Sequence, residues 1–308
     1  MAERVRIGTR GSPLALRQAE LVAEGLRRAW PGLPVELVPI RTSGDRLPHA
    51  DLAAAGGKGL FVKEIDEALL ERRVRVAVHS LKDLPAGVPG GLVVAAFPER
   101  EDPRDVLVSR TEGGLAGLPP GARIGTGSLR RRVQLLARRP DLTVEAIRGN
   151  VETRLRKLRE GPYDAVVLAA AGLRRLGLDP SNAVPLGPDE MLPAVGQGTL
   201  AVETRADDAE AQGLVAAVDH AETRAAATAE RAFLAAIGGA CTTPLAAHGR
   251  LEDGMLRLDA FVATPDGVRI LRDGASGAAT RPEELGRRVA ERMLARGAAE
   301  ILRAGQPA

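Results

Sequence analysis

The fold of this chain is decided near its start, by the stretch Arg4-Val-Arg-Ile-Gly-Thr-Arg-Gly-Ser-Pro-Leu-Ala-Leu16. Polar and apolar residues alternate from Arg4 to Gly8, which is typical of a short strand. Ser12 then stands where a helix N-cap is expected and Pro13 where the first helical residue is expected, ahead of apolar residues at helical spacing as far as Leu26. The stretch therefore predicts a strand, a tight turn and a helix.

The alternation of strand and helix continues beyond this opening. Val35 to Ile40 and Val74 to Val78 have the composition of strands, and Phe61 to Arg72 lies between them with apolar residues on one helical face. The order βαβαβ predicts a mostly parallel sheet with helices on both of its faces. The stretch from Arg46 to Gly59 has no clear period and ends in glycines, so we expect a mobile lid there.

A second unit of the same kind follows a charged, proline-containing segment, Pro98 to Asp105, which is typical of a hinge or linker. The elements predicted in this unit are strands at Arg123 to Gly125, Thr143 to Ile147 and Tyr163 to Ala169, and helices at Leu129 to Arg139, Val151 to Glu160 and Ala170 to Leu176. Thr199 to Thr204 is again strand-like, and we expect it to cross back toward the first unit.

The rest of the chain, beyond Asp219, predicts a third unit of α+β type. Its predicted elements are a helix at Glu222 to Ile237, strands near Leu245 to Gly249, Leu256 to Val262 and Val268 to Leu271, and a closing helix at Pro282 to Ala304. The sequence as a whole therefore predicts two α/β domains and a smaller C-terminal α+β domain. We place the first domain at residues 1–98 and 199–218, the second at 104–194 and the third at 219–308.

The composition excludes several classes of protein. With 308 residues, of which 44% are hydrophobic and 27% charged, the chain has the profile of a globular protein rather than a disordered one. Its longest apolar run, Ala165 to Leu173, is far shorter than the roughly 20 residues of a membrane-spanning helix. The N-terminus is charged where a secretory signal is apolar, and the single cysteine, Cys241, excludes an internal disulfide, so we expect a cytoplasmic protein.

The positive charge of the chain is concentrated in one window. Residues 128–159 contain ten basic and three acidic side chains, an excess of seven, although the formal net charge of the whole chain is only +3. A local excess of this size predicts an anionic partner for that region.

Two sequence features place an anion at the start of one helix in this window. The stretch Gly125-Thr126-Gly127-Ser128 lies between a predicted strand and a predicted helix, so backbone N–H groups and a hydroxyl N-cap converge there. Arg130 and Arg131 occupy the first helical turn, where the helix dipole disfavours cations unless an anion lies nearby. Solvated surface arginines are the alternative explanation.

Arginines also follow other predicted strands of the two units. Arg148 comes directly after a strand, and Arg154 lies on the next helix, at the carboxyl edge where open α/β sheets bind ligands. Arg10 and Ser12 occupy the equivalent turn of the first unit. We therefore expect two anion sites that face each other across a cleft between the domains.

Two further loops contain reactive side chains. Asp83, in the loop after the third strand, is a carboxylate placed among arginines, which is suited to stabilising a developing cation or relaying protons. A solvated ion pair of Asp83 with Lys82 is the alternative. Cys241 lies in a loop of small residues just after a helix, accessible to modification, although lone cysteines are usually buried and inert. The four histidines have no metal-ligand spacing, so no metal is expected.

Taken together, these segments resemble the hydroxymethylbilane synthase family, also called porphobilinogen deaminases, from about Val5 to Arg303. The resemblance rests on Thr9-Arg-Gly-Ser-Pro-Leu-Ala-Leu16, Gly56-Gly-Lys-Gly-Leu-Phe-Val-Lys-Glu64, Ala77-Val-His-Ser-Leu-Lys-Asp-Leu-Pro85, Glu101-Asp-Pro-Arg-Asp105, Arg148-Gly-Asn-Val-Glu-Thr-Arg154, Ala171-Gly-Leu-Arg-Arg-Leu-Gly177 and Leu192-Pro-Ala-Val-Gly-Gln-Gly198. Many matches in the same order are more specific than any one of them.

The resemblance implies a fold, a cofactor and a reaction. The first two domains would be like periplasmic binding proteins of the second type, with the first domain split by insertion of the second. A dipyrromethane cofactor would be joined by a thioether to Cys241. The reaction would join four porphobilinogen molecules stepwise, with loss of ammonia, and release the linear tetrapyrrole by hydrolysis. The resemblance implies no nucleic-acid or membrane partner, and we expect a monomer.

The resemblance also implies roles for individual residues. Asp83 would be catalytic. Lys58 and Phe61 would belong to the lid and the cleft. The residues implied to bind the acetate and propionate side chains of the cofactor and substrate are Arg10, Ser12, Lys82, Thr126, Ser128, Arg130, Arg131, Arg148, Arg154 and Arg175.

Three other functions remain open on the residues alone. A binding protein without catalysis would use the same hinge and anion sites. A nucleic-acid binder would use the basic window, although the chain has only six aromatic residues for base stacking. A pyridoxal-phosphate enzyme would use Lys82 as its Schiff-base lysine.

Overall fold

The structure is a computed structural model that describes residues 4–46, 61–238 and 243–304. Nearly all of the stretch predicted as a lid, including Lys58, lies outside the described residues, as does Cys241.

The described residues form three β-sheets. Their strands, in chain order, are β1 (Val5–Arg10), β2 (Val35–Ile40), β3 (Val76–Ser80), β4 (Leu92–Ala96), β5 (Asp105–Ser109), β6 (Arg123–Gly125), β7 (Thr143–Glu145), β8 (Ala165–Ala169), β9 (Ala183–Leu186), β10 (Leu200–Arg205), β11 (Leu245–Glu252), β12 (Met255–Ala263) and β13 (Ile270–Ala278). The helices are α1 (Pro13–Ala29), α2 (Ser43–Arg46), α3 (Lys63–Leu70), α4 (Leu129–Arg138), α5 (Val151–Glu160), α6 (Ala170–Arg175), α7 (Ala209–Val215), α8 (Ala221–Ile237), α9 (Pro282–Ala295) and α10 (Ala298–Arg303).

The opening stretch folds as its pattern predicts. β1 ends at Arg10, and α1 begins at Pro13 with Ser12 as its N-cap, whose hydroxyl accepts a hydrogen bond from Ala15 N at 3.3 Å. The apolar face of α1 packs on the first sheet through side chains that are almost completely buried, among them Val22 and Leu26. This packing fixes the turn between strand and helix, where Arg10 and Ser12 lie.

The two larger sheets have the same internal order. The first is β2-β1-β3-β10-β4 and the second is β7-β6-β8-β5-β9. We call the first sheet with its helices the first lobe and the second sheet with its helices the second lobe. In each sheet, one strand arrives from the other lobe: β5 enters the second sheet from the first lobe, and β10 returns to the first sheet from the second lobe. This arrangement is that of the second type of periplasmic binding protein, so the predicted fold class is confirmed.

The prediction of a mostly parallel sheet is confirmed in strand direction, because four of the five strands in each large sheet run the same way, but each sheet also contains one antiparallel strand that was not predicted. β1 is parallel to β2 and β3, and β6 is parallel to β7 and β8, but β10 and β5 each pair antiparallel with both of their neighbours. The reason is that β5 and β10 do not enter their sheets through a strand–helix–strand connection, so the rule that makes such connections parallel does not apply to them.

Three strands were missed by the sequence prediction. Part of the segment predicted as a linker is in fact the start of β5, whose five residues are all buried. β4 is a short strand after a turn, and β9 contains Pro185, which is tolerated because β9 lies at the edge of its sheet.

The third unit consists of the antiparallel sheet β11-β12-β13, packed against α8 and α9. The closing helix was predicted as one element, but the structure has two, because Gly297 adopts a left-handed conformation with φ of 91° between α9 and α10. The three sheets support the predicted division into residues 1–98 with 199–218, 104–194 and 219–308, whose boundaries stay a prediction.

A buried carboxylate joins the three units. Glu230 of α8 is completely buried and accepts hydrogen bonds from Arg100 Nη1 at 2.6 Å, Gly196 N at 2.6 Å and Gly249 N at 2.8 Å. Arg100 belongs to the segment that leads into the second lobe, Gly196 to the segment that leads back, and Gly249 to β11. Glu230 therefore fixes both crossing segments against the third unit.

Within the part of the chain that is described, no helix combines the length and the apolarity that crossing a membrane requires.

Candidate active site

An open cavity of about 680 Å³ lies where the two larger sheets face each other. Its walls are built by the loops that follow β1, β3, β6, β7 and β8, together with the segment before β10. The carboxyl edges of both sheets therefore open onto one cavity, as the sequence predicts for its anion sites. The predicted site residues that line this cavity are Arg10, Ser12, Phe61, Lys82, Arg131, Arg148, Arg154 and Arg175.

The charge of the cavity wall is strongly one-sided. The described lining residues include six cationic side chains and one carboxylate, that of Glu152. Two helices also present their N-termini, since the N-cap residues Ser12 of α1 and Asn150 of α5 line the cavity. Helix N-termini and guanidinium groups both favour anions, so the cavity is built to bind several negative charges at once.

Arg10 is held at the entrance of the cavity by an aromatic ring. Its guanidinium carbon lies 4.1 Å from the centre of the Phe61 ring, the distance of a cation–π contact. Arg10 follows β1, and Phe61 precedes α3, so the contact joins two separate loops of the first lobe. It orients the arginine without neutralising its charge.

Arg154 and Arg175 are arginines of the second lobe that are partly removed from water. Arg154 Nε donates to Gly149 O at 2.8 Å, and Arg175 Nη2 donates to Gly198 O at 2.6 Å. Burial lowers the pKa of Arg175 to about 10, and burial together with Arg131 lowers the pKa of Arg154. Both guanidiniums remain cationic near neutral pH, and a bound anion would replace the solvation that they have lost.

The anion predicted at the start of α4 is a residue of the protein itself. Asp105, the first residue of β5, is completely buried and accepts from Arg130 Nη1 at 2.7 Å and from Arg131 Nε at 3.0 Å. Burial alone would raise the pKa of Asp105, but the two arginines outweigh it and hold the pKa well below its usual range. The Asp105 carboxylate is therefore the anion that offsets the unfavourable placement of Arg130 and Arg131 at the positive end of the α4 dipole.

Three predicted binding residues lie behind the cavity wall. Arg130 also donates to Leu192 O at 2.7 Å, Ser128 is the N-cap of α4, and the Thr126 hydroxyl accepts from Ser128 N at 3.3 Å. None of the three is among the described residues that line the cavity. Arg131 does line it and donates to Val167 O at 2.7 Å. Direct binding by Thr126, Ser128 and Arg130 stays a prediction.

The turn that carries Lys82 and Asp83 follows β3 directly. Leu81 anchors it, because its side chain is buried and its backbone N–H donates to Thr199 O at 3.0 Å. Lys82 lines the large cavity, whereas the exposed Asp83 lines a smaller one of about 60 Å³. Arg10, Ser12 and Phe61 line both cavities, so the Asp83 carboxylate lies beside the cationic cleft.

Lys82 provides a pH-dependent part of the positive charge. Burial lowers its pKa to about 8, Arg131 and Arg130 act in the same direction, and Asp83 and Asp105 oppose them. Lys82 is therefore cationic at neutral pH and loses its charge in mild alkali.

We expect the KM for a carboxylate substrate of this cavity to rise about tenfold between about pH 7 and about pH 9.5, because the neutral amine of Lys82 loses a charge-assisted hydrogen bond. Steady-state kinetics across this range measures the effect. In Lys82→Arg the charge persists, so its KM should stay flat. An equal rise in KM in the wild type and Lys82→Arg would contradict the assignment.

Some lining residues were not singled out by the sequence. Gln18 of α1 and the residues Gly196, Gly198 and Thr199 line the cavity, although sequence patterns assigned them no role in binding. The glycines of Gly196-Gln-Gly198 were visible as a motif, and both have positive φ, of 71° and 87°. A side chain at Gly198 would come within 2.2 Å of Glu101 O, so glycine is needed where this segment passes the one that leads into the second lobe.

Two α/β lobes joined by crossing strands, with a cationic cleft between them, define a two-lobed protein whose cleft is suited to a polyanionic ligand. Residues 5–213 match the family model described as porphobilinogen deaminase, dipyromethane cofactor binding domain, and residues 224–295 match the model of the porphobilinogen deaminase C-terminal domain. The chain belongs to the porphobilinogen deaminase family.

Two curated relatives agree with this assignment. The chain is 49% identical over 303 residues to the porphobilinogen deaminase of Syntrophobacter fumaroxidans and 52% identical over 304 residues to that of Desulforudis audaxviator, covering 98% of both chains in each case. Among solved structures, it is similar to a probable amino-acid ABC transporter extracellular-binding protein from Bacillus subtilis, at 10% identity and a TM-score of 0.42 over 70% of this chain and 90% of that one.

Proposed function

We propose that this chain catalyses the hydroxymethylbilane synthase reaction, in which four porphobilinogen molecules are joined with loss of ammonia and the linear tetrapyrrole is released by hydrolysis. The observation that carries the proposal is the cavity between the lobes, whose described wall has six cationic side chains against one carboxylate. Porphobilinogen carries two carboxylates, so the product of four additions on a two-ring cofactor brings about twelve negative charges into one cleft. At an effective dielectric constant near 20, two such charges about 4 Å apart repel by about 4 kcal/mol, so they need matching cations.

The residues of the cavity fit the dipyrromethane cofactor of this family. Two pyrrole rings with four carboxylates need several cationic partners, and Arg131, Arg148, Arg154 and Arg175 of the second lobe line the cavity together. Planar guanidinium groups bind carboxylates through two parallel hydrogen bonds, which lysine does not do. When bound, the cofactor supplies the pyrrole to which the first substrate molecule is joined. We propose Cys241, outside the described residues, as the attachment point.

The first lobe would bind the incoming porphobilinogen. Arg10 and Lys82 are the cations that the described part of this lobe contributes to the cavity, and the Ser12 N-cap adds the N-terminus of α1. These three groups hold the substrate carboxylates and so orient the aminomethyl carbon toward the growing chain. Phe61, on which Arg10 is stacked, limits how far that guanidinium can move.

Asp83 would act on the reacting ring. When ammonia leaves, the carbon–nitrogen bond breaks, the electron pair leaves with nitrogen, and the pyrrole becomes a cationic methylene-pyrrolenine. The Asp83 carboxylate lies beside the cationic cleft, where it would accept a hydrogen bond from the ring nitrogen and stabilise the positive charge. Because Asp83 lies beside the cationic cleft rather than in its wall, catalysis by this carboxylate would be separate from binding by the arginines.

Intact-mass spectrometry of protein incubated with porphobilinogen tests the proposal. We expect stepwise additions of one deaminated porphobilinogen unit to a protein that already carries two pyrrole rings. A pyrrole with the same carboxylates but no aminomethyl group is the control, since it would bind without forming adducts. Substrate that binds without any mass increase would instead indicate a binding protein.

We further propose that the protein acts as a cytoplasmic monomer without a nucleic-acid partner. Against a nucleic-acid partner stands the observation that part of the basic window is committed elsewhere, since Arg131, Arg148 and Arg154 line the cleft and Arg130 and Arg131 pair with the buried Asp105. Salt-dependent binding of RNA or DNA by protein without deaminase activity would overturn this assignment.

A further inference from the structure

A group of buried titratable side chains lies beside the Asp83 turn. Asp66 comes from α3, His79 from β3 and Glu203 from β10, and their exposed fractions are 6%, 5% and 0%. One oxygen or nitrogen atom of each lies within 4.8 Å of those of the other two. In the antiparallel pairing of β3 with β10, His79 and Glu203 are diagonal neighbours, which places both side chains on the face that α3 covers.

Several polar atoms of this cluster have no hydrogen-bond partner among the described residues. They are Asp66 Oδ1, His79 Nε2 and both carboxylate oxygens of Glu203. His79 Nε2 lies 3.1 Å from Glu203 Oε2, which is ion-pair distance, although the angle at this contact falls short of a hydrogen bond. Two ionised carboxylates without donors are costly in a buried site, so the cluster has to take up a proton.

The charged groups around the cluster do not remove its need for a bound proton. Glu67, next to Asp66 on α3, adds negative potential, and burial, Glu203 and Glu67 together raise the pKa of Asp66 to about 7, with His79 opposing. Arg231 of α8 is a cation that interacts electrostatically with the Glu203 carboxylate. Its guanidinium, however, donates to the carbonyl oxygens of the two residues that follow Leu84, at 3.0 and 2.8 Å.

The cluster is connected to the Asp83 turn by short stretches of chain. His79 is followed by Ser80, whose hydroxyl accepts from Gln18 Nε2 at 2.8 Å, and then by the turn itself. His79 and Asp83 line the same small cavity. Polar contacts therefore hold the chain on both sides of the turn, with the cluster at its entry and Arg231 at its exit.

We propose that Asp66, His79 and Glu203 are positioning residues that share one proton and hold the end of β3, and with it the Asp83 carboxylate, in place for the reaction. Positioning Asp83 for catalysis rests on the proposed function, whereas the shared proton does not.

The shared proton is tested by the pH dependence of stability in Asp66→Asn. A carboxyl whose pKa is raised on folding takes up a proton, so its contribution to stability falls as the pH rises from about 4 to about 7. An amide keeps the shape of the protonated carboxyl and does not titrate. We expect the unfolding constant of the wild type, relative to that of Asp66→Asn, to rise at least about tenfold between about pH 5 and about pH 8. Glu71→Gln, an exposed carboxylate near the end of α3, is the matched control and should follow the wild type.

The positioning role is tested by kinetics at about pH 6, below the pKa of Asp66 of about 7, where the carboxyl holds its proton. Asp66→Ala should lose about tenfold in kcat with little change in KM, because the cation-lined cavity that binds the carboxylates is untouched. Asp66→Asn, which keeps the shape of the protonated carboxyl, should recover most of this loss. This split between kcat and KM would not follow from a general loss of stability.

Three outcomes would overturn the inference. The first is an Asp66→Asn variant whose stability follows the wild-type pH curve, and the second is a folded Asp66→Ala variant with wild-type kcat. The third is a rise in Tm with added Zn²⁺ in the wild type but not in Asp66→Asn, which would identify a metal site instead. If the wild type does not turn over porphobilinogen, the proposed function fails. The pH dependence of stability in Asp66→Asn would still decide whether the cluster holds a proton.

Discussion

Asp83→Asn is expected to lower kcat by about a thousandfold. At an effective dielectric constant near 20, a carboxylate about 4 Å from a developing cation contributes about 4 kcal/mol, which corresponds to roughly three powers of ten in rate. The neutral amide keeps the size of the side chain and its ability to accept a hydrogen bond, but it loses this charge. Single-turnover and steady-state kinetics with porphobilinogen measure the loss.

The substitution separates catalysis from binding. Asp83 is the carboxylate beside a cleft lined by cations, so removing its charge should leave KM for an anionic substrate unchanged or lower it. Because Asp83 is exposed, Tm should change by little. Asp179→Asn, the same change at an exposed position after α6, is the control and should behave as the wild type. Near-normal kcat in Asp83→Asn would contradict a catalytic carboxylate.

The sequence predicted the parts of the fold that are encoded locally. The turn from β1 to α1 was predicted because its N-cap, its proline and its helical apolar spacing all lie within a few residues of each other. β5 was missed because its first residue, Asp105, looks like part of a charged linker. Its burial becomes evident only from its partners β8 and β9, which come much later in the chain.

For the candidate site, the sequence predicted where the cations converge but not which of them line the cavity. The cations around the cleft follow strands, and the carboxyl ends of neighbouring strands meet at one edge, so their convergence is a property of the topology. Which arginines face the ligand was not predictable. Arg130 and Arg131 are neighbours in sequence, yet both pair with Asp105 and only Arg131 also lines the cavity. The two arginines differ in their other contacts, since Arg130 donates to Leu192 O and Arg131 to Val167 O, 62 and 36 residues further along the chain, and no local pattern shows such contacts.

The buried cluster was outside the reach of sequence patterns altogether. His79 appeared as part of the loop motif before Asp83, and Glu203 as a residue of an ordinary strand. Only the antiparallel pairing of β3 with β10 makes them diagonal neighbours, and this pairing depends on the chain returning from the second lobe. Contacts that depend on a crossing strand are therefore the ones for which a structure is needed.

Cys241→Ser is expected to yield protein without the dipyrromethane cofactor and without turnover. Thioether formation needs a nucleophilic sulfur, which a thiol with a pKa near 8.5 supplies, whereas a serine hydroxyl is far less acidic and stays protonated. α8 ends at Ile237 with Gly238 in a left-handed conformation, φ 73°, and Cys241 follows three residues later in the sequence. Intact-mass measurement of the purified variant is the direct test, and a variant that still carries two pyrrole rings would rule out Cys241 as the attachment point.

The same variant tests the electrostatic argument without any turnover. Protein that lacks the cofactor keeps the cluster of cations, and like charges that face one cavity repel each other unless anions screen them. We therefore expect Cys241→Ser to have a lower Tm than the wild type and to recover part of the difference when sulfate is added, more than when chloride is added at the same ionic strength. Cys241→Ala should behave in the same way, because it too lacks the sulfur. A Tm equal to that of the wild type in both variants would mean that the arginines of the cleft are not balanced by the cofactor's carboxylates.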